Sequence, residues 1–159
     1  MRIAVLTVSD AAARGEREDS SGDAVVAWAE GRGDSVVARS VVPDESSRIV
    51  PVLLGWCDGD EADLVITTGG TGLSPRDVTP EATRAVLERE APGIAERLRV
   101  TSLERFPRSA LSRGTAGVRN RSLVVNLPGS TGGVRDALAA LEPVVVHAVE
   151  IVRGEKTDH

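Results

Sequence analysis

Short runs of uninterrupted apolar residues alternate along this chain with stretches in which apolar residues recur at helical spacing. Residues 3–8, Ile-Ala-Val-Leu-Thr-Val, form the first such run, and a run of that length reads as a buried strand. A polar loop spans 10–20, and over 21–30 Val25, Trp28 and Ala29 recur at helical spacing before Gly31 and Gly33 close the element. Residues 35–42 are β-branched and strand-like, ending at Pro43-Asp44. A helix is predicted over 46–57 with Ile49, Val52, Leu53 and Trp56 on one side, although Pro51 removes a hydrogen bond inside it. The clearest buried strand, 63–68, runs directly into Gly69-Gly70-Thr71-Gly72.

Further along, Thr79-Pro80-Glu81 carries a helix-start signature: threonine as N-cap, proline at the first helical position, an acid in the first turn. The pattern extends that helix to Glu90, with a second over 92–103, an irregular stretch over 106–117 and a strand over 122–126. The chain then predicts helices over 134–141 and 143–152, separated at Pro143, and a polar tail over 155–159. Strands alternating with helices, without repeat or linker, predict one α/β domain over 1–154 built on a mainly parallel, helix-covered sheet.

Composition narrows the function. With 159 residues, 27% charged and 41% hydrophobic, the chain has the balance of a soluble globular protein. The single cysteine, Cys57, cannot form an internal disulfide, and no Cys/His cluster offers a structural zinc site, so a reducing, cytoplasmic setting is expected. The first strand leaves no room for a signal peptide, and no apolar run approaches the roughly 20 residues that span a bilayer. A net charge of −5 argues against general nucleic-acid binding, and Trp28, Trp56 and Phe106 are too few for a base-stacking platform. The only lysine, Lys156, lies in the polar tail, which removes a phosphate-loop or Schiff-base lysine. His147, embedded among valines, reads as a packed or interface histidine, and His159 is the terminus, so a Ser-His-Asp hydrolase is hard to assemble. Cys57 reads as a buried or half-buried thiol.

The candidate chemistry lies at strand ends. Thr68, Gly69, Gly70, Thr71 and Gly72 follow a buried strand, where ligands bind in open α/β sheets. Glycines there let successive N–H groups converge on an anion; the plain alternative is a turn that needs positive φ. Pro128, Gly129 and Ser130 repeat the arrangement after the last clear strand and open onto a helix near Gly133. Asp44 and Asp77 follow strand ends beside these loops, and two carboxylates next to a phosphate site suit Mg²⁺. Either could instead be local: Asp44 capping the helix near Ser46, Asp77 bonding within a turn. Ser9 and Asp10 follow the first strand and would reach the same edge. Ser112 and Arg113 offer a hydroxyl and a guanidinium to phosphate, or a solvated surface. This is neither a Walker loop nor a Gly-x-Gly-x-x-Gly fingerprint.

Taken in order, Thr7-Val8-Ser9-Asp10, Val42-Pro43-Asp44-Glu45, Thr67-Thr68-Gly69-Gly70-Thr71-Gly72, Pro75-Arg76-Asp77-Val78-Thr79-Pro80-Glu81, Leu111-Ser112-Arg113 and Asn126-Leu127-Pro128-Gly129 resemble the MogA/MoaB family of molybdenum-cofactor biosynthesis proteins. That family also occurs as the G domains of a plant cofactor-synthesis protein and of animal gephyrin. The resemblance implies a three-layer α/β/α fold, a homotrimer, and adenylyl transfer from Mg-ATP to molybdopterin. It implies that Asp44 and Asp77 are the two functional aspartates. It also places the pterin-phosphate pocket at Thr68–Gly72, Ser112 and 128–130, and leaves molybdate insertion to a separate partner. Asp77 favours the catalytic, MogA-type branch over a MoaB-like binder; residues 131–133 lie where the family varies.

Overall fold

A computed structural model of the chain describes residues 1–155; Lys156 and His159, and most of the polar tail, lie outside the described residues. Six strands form one mixed sheet: β1 (Arg2–Val8), β2 (Ser35–Val42), β3 (Leu64–Thr68), β4 (Arg89–Glu90), β5 (Ala116–Arg119) and β6 (Ser122–Leu127). Their order across the sheet is β2-β1-β3-β6-β5-β4. The first four of that order run parallel, whereas β5 pairs antiparallel with β6 and β4 with β5.

The apolar runs of the central strands follow from burial on both faces. Ile3, Val5, Leu64, Ile66, Leu123 and Val125 point into one core, against α2 (Ser20–Gly31), α5 (Pro92–Leu103) and α6 (Thr131–Arg153). Ala4, Leu6, Val65 and Val124 point the other way, against α3 (Ser46–Asp58) and α4 (Thr79–Val86). Alternation with period two therefore feeds two cores at once, and this produces the three layers. A short helix, α1 (Asp10–Ala13), and a 3-10 turn at Pro107–Leu111 complete the elements.

Several expectations change. Part of the predicted 10–20 loop is α1, because Ser9 caps it, its Oγ accepting from the Ala12 amide. The helix expected to reach Glu90 ends at Val86, and Arg89–Glu90 joins the sheet edge. Part of the stretch read as irregular is β5, which the sequence hides: Ala116, Gly117, Val118 and Arg119 offer little alternation. Pro143 does not divide the last helix, which is continuous over 23 residues. An interior proline costs about 3 kcal/mol, but burying Val145 and Val149 returns about 1.5–3 kcal/mol each. Pro51 is likewise accommodated within α3, on its exposed side, while Ile49, Leu53 and Cys57 are buried. His147 is exposed and not packed, its Nδ1 3.8 Å from Glu150.

Candidate active site

Strand order reverses between β1 and β3: the chain passes from β1 to β2 on one side and then returns to β3 on the other. Such a reversal opens a crevice at the carboxyl ends of the strands. The ends of β1, β2, β3 and β6 deliver Ser9-Asp10, Asp44, Gly69–Gly72 and Pro128–Ser130 to that one edge.

The two glycine loops touch each other. Gly69 has φ +90° and its amide donates to the Leu127 carbonyl at 3.2 Å; a Cβ there would overlap the Val8 carbonyl oxygen. A Cβ on Gly129 would stand 3.2 Å from the Gly69 Cα. Only bare backbone lets the loops approach this closely. Gly70 also has positive φ, +62°, and its carbonyl accepts from the Thr79 amide at 3.1 Å.

Both aspartates stand against this loop. A Cβ on Gly70 would lie 2.9 Å from Asp44 Oδ1, and one on Gly72 would lie 2.8 Å from Asp77 Oδ2. Asp44 does not cap α3, whose N-cap is Glu45. Instead its Oδ2 accepts from the Asp10 amide at 2.8 Å, while the Asp44 amide donates to Asp10 Oδ1 at 3.0 Å. Asp10 is in turn gripped by Arg76, with Nε 3.0 Å from Oδ2 and Nη2 2.8 Å from Oδ1. That guanidinium, and then the Asp44 amide, hold the Asp10 carboxyl below its ordinary range. Asp44 shows the opposite shift. Burial pushes its carboxyl up, and although the Asp10 amide pulls against this, the negative charges of Asp10 and Asp77 add to the rise. Asp77 is set by a local turn, its Oδ2 accepting from the Ser74 amide at 2.9 Å.

Two cavities meet at this rim. The larger, about 640 Å³, lies between the glycine loops, α5 and the 3-10 turn, with Ser112 and the arginines Arg99 and Arg108 in its wall. The smaller, about 460 Å³, is lined by Ser9, Asp44 and Gly69, with Arg17 the only cation among its lining residues and Glu18 and Asp19 adding acid. Gly70, Asp77, Gly129 and Ser130 line both. The larger compartment thus sets Arg99 and Arg108 against the carboxylates of Asp77 and Asp136, with Arg99 Nη1 bonded to the Ser112 and Gly114 carbonyls, whereas the smaller carries an excess of acid and needs a cation brought in with its ligand.

Three residues expected to contact ligand are otherwise engaged. Thr68 is fully buried, its hydroxyl paired with Ser21 Oγ at 2.9 Å, and it lines neither cavity. Arg113 is a strap: Nε donates to the Gly72 carbonyl at 2.7 Å, Nη2 to the Asp77 carbonyl at 2.6 Å, and the guanidinium pairs with Glu81, whose carboxyl it lowers. Its own amide donates to the Thr71 carbonyl at 2.8 Å. Arg113 therefore fixes the loop carrying Asp77, and it too is absent from both cavity walls. Asp10 likewise spends its carboxylate on Arg76 and the Asp44 amide and faces neither cavity. Ser9, Ser112 and Ser130 remain in the walls, Ser130 also capping α6 by accepting from the Gly133 amide at 3.2 Å.

Sequence reasoning overlooked Arg17, Arg99 and Arg108, for which spacing carries no signal among so many arginines. It named Asn126 within a motif but gave it no role. Its Nδ2 donates to Thr67 Oγ1 and Thr83 Oγ1, each at 2.9 Å, and its Oδ1 accepts from the Thr115 amide at 3.2 Å. A buried asparagine ending an apolar strand was the available clue.

Among the described residues no group of three His, Cys, Asp or Glu is placed to hold a metal by itself. Asp44 and Asp77 do fit a cation that arrives with phosphate: each gives one oxygen to a backbone amide, and the crowding of negative charge on Asp44 is what a cation relieves.

A family model described as "Probable molybdopterin binding domain" matches residues 4–147. The chain belongs to this family. A Helicobacter pylori relative of this molybdopterin-binding domain, named molybdopterin adenylyltransferase, is 41% identical over 97% of this chain and 89% of its own length. Among solved structures, a Thermus thermophilus molybdopterin biosynthesis enzyme MoaB superposes with a TM-score of 0.91 at 50% identity, covering 96% of both chains. A molybdopterin biosynthesis Mog protein from Mycobacterium ulcerans gives 0.89 at 42%, covering 95% of this chain and 98% of that one.

Proposed function

We propose that this molybdopterin-binding domain is a molybdopterin adenylyltransferase, transferring the adenylyl group of Mg-ATP to the terminal phosphate of molybdopterin. One observation carries the reading. The larger cavity, which has Arg108 and Ser112 in its wall, and the smaller acidic cavity share Gly70 and Asp77, so ligands in the two compartments meet at one point. In this reading the pterin occupies the larger cavity, its phosphate facing the Gly70–Gly72 amides and Ser112, while the nucleotide occupies the smaller. An oxygen of the molybdopterin phosphate attacks the α-phosphorus of ATP, the bond from that phosphorus to the bridging oxygen breaks, and pyrophosphate leaves. Mg²⁺ supplies offset of the polyphosphate charge, and Asp44 and Asp77 are the residues that would hold it. The chain contributes position and electrostatics, and no covalent nucleophile is required.

Pyrophosphate release with Mg-ATP and molybdopterin tests the proposal; release that needs both substrates is expected. A competing reading, a pterin-binding protein without catalysis, draws on the 50% identity to the protein titled MoaB, and predicts pterin binding with no release. ATP consumption without pterin would instead indicate a hydrolase. The same proposal includes a cytoplasmic homotrimer that hands its product to a separate molybdate-insertion protein. Half-exposed Val146 and Ile151 on α6 support an interface there, and sedimentation tests it.

A further inference from the structure

Thr79 opens a helix with the sequence of a capped start, yet its hydroxyl caps nothing. It is the first residue of α4, and Val78 at the N-cap makes no side-chain cap bond. Thr79 is fully buried, and its Oγ1 has no hydrogen-bond partner among the described residues. A buried hydroxyl without a partner costs stability and calls for a reason.

The reason lies across Gly70. The Thr79 amide donates to the Gly70 carbonyl, which brings the threonine side chain over the glycine. A Cβ on Gly70 would overlap Thr79 Oγ1 and stand 2.9 Å from Asp44 Oδ1. The hydroxyl and that carboxylate oxygen therefore converge on the same space, open only because residue 70 has no side chain. Asp44 Oδ2 is already committed to the Asp10 amide, so Oδ1 is the oxygen turned toward Thr79.

We propose that Thr79 is a positioning residue for Asp44, its hydroxyl donating to Oδ1 when the carboxylate takes up a divalent cation with nucleotide. A carboxylate oxygen has room for both, since one lone pair can accept the O–H and another face the cation. The bond would fix the carboxylate from two sides, the Asp10 amide on Oδ2 and Thr79 on Oδ1. The inference rests on the nucleotide reading of the smaller cavity given above.

The test uses the full chain, with Thr79→Val and Thr79→Ser, and measures binding of Mn²⁺ in the presence of ATP by the electron-spin signal of free Mn²⁺, without pterin. Valine keeps the shape and removes the hydroxyl; serine keeps the hydroxyl. Unliganded Thr79→Val is expected to melt at or above the wild-type temperature, because it replaces an unsatisfied group. Its Mn²⁺-ATP affinity is expected to fall about tenfold, and Thr79→Ser to retain wild-type affinity. Wild-type affinity in the valine variant overturns the proposal and leaves the nucleotide reading standing. A valine variant that melts well below wild type, or fails to fold, also overturns it, by showing the hydroxyl engaged before ligand arrives. Wild-type protein that binds no Mn²⁺-ATP overturns the nucleotide reading and this inference together.

Discussion

Replacing Asp77 by asparagine isolates charge from shape at the point where the two cavities join. The turn that holds the residue depends on its amide, which donates to the Ser74 carbonyl at 2.9 Å, and on a side-chain oxygen accepting from the Ser74 amide. Asparagine keeps both, and the Arg113 bond to the residue-77 carbonyl does not involve the side chain. Folding should therefore be unaffected, with a melting temperature within a degree or two of wild type. In the proposed reaction, what disappears is one negative charge beside the cation and polyphosphate. At roughly 4 Å, with an effective dielectric constant of about 20, a unit charge pair is worth about 4 kcal/mol. That is an upper figure for a half-buried residue, since solvent screens it. A loss of about 1.4 kcal/mol already slows transfer tenfold, so the expected effect lies between that floor and about a thousandfold. Pyrophosphate release under saturating Mg-ATP and molybdopterin reads the change. A folded Asp77→Asn variant with the wild-type rate would refute the role given to this carboxylate.

Asn126→Ala removes two buried side-chain bonds and leaves the Thr115 amide without its acceptor; a loss of about 3 kcal/mol is expected, read as a shifted urea midpoint at constant slope, and a loss below about 1 kcal/mol would count against it. Asp44→Asn should stabilise the unliganded protein at neutral pH. The folded carboxyl titrates above its unfolded value, so its charged form opposes folding above that point and the penalty fades as pH falls toward 4; a variant advantage that persists undiminished in acid contradicts this. Asp10 runs the other way: its stabilising contribution is present above the unfolded value and lost as pH falls through its lowered one, and Arg76→Met should flatten that acid limb. The Cys57 thiol, fully buried and pushed up to about 11 by that burial, should resist a thiol reagent until the protein unfolds; rapid native labelling would argue against its burial.

Much of the architecture was legible in the sequence because the central strands are buried on both sides, and unbroken apolar runs such as Ile3–Leu6 and Leu64–Ile66 have few other uses. The sheet's antiparallel edge was not legible. Arg89–Glu90 and Ala116–Arg119 pair through backbone, with side chains that carry no strand pattern. Pro143 misled for a related reason: local propensity reports the cost of a broken bond but not the valines beyond it that find a core.

At the rim, the sequence by itself determined which chemical groups stand at strand ends: two glycine loops, two aspartates, and hydroxyls at Ser9, Ser112 and Ser130. Their order along the chain and the strands before them require only local rules. Tertiary structure alone decided how those groups are spent. Arg113 and Asp10 carry charges that sequence offers to a ligand, but folding places carbonyls and Arg76 nearer, and a charge satisfied within the protein is not available outside it. Conversely, Thr79 carries a capping signature, and only its approach to Gly70 puts its hydroxyl beside the space that Asp44 Oδ1 also borders. Hydrogen-bond partners are chosen by distance in space, which the order of residues does not contain.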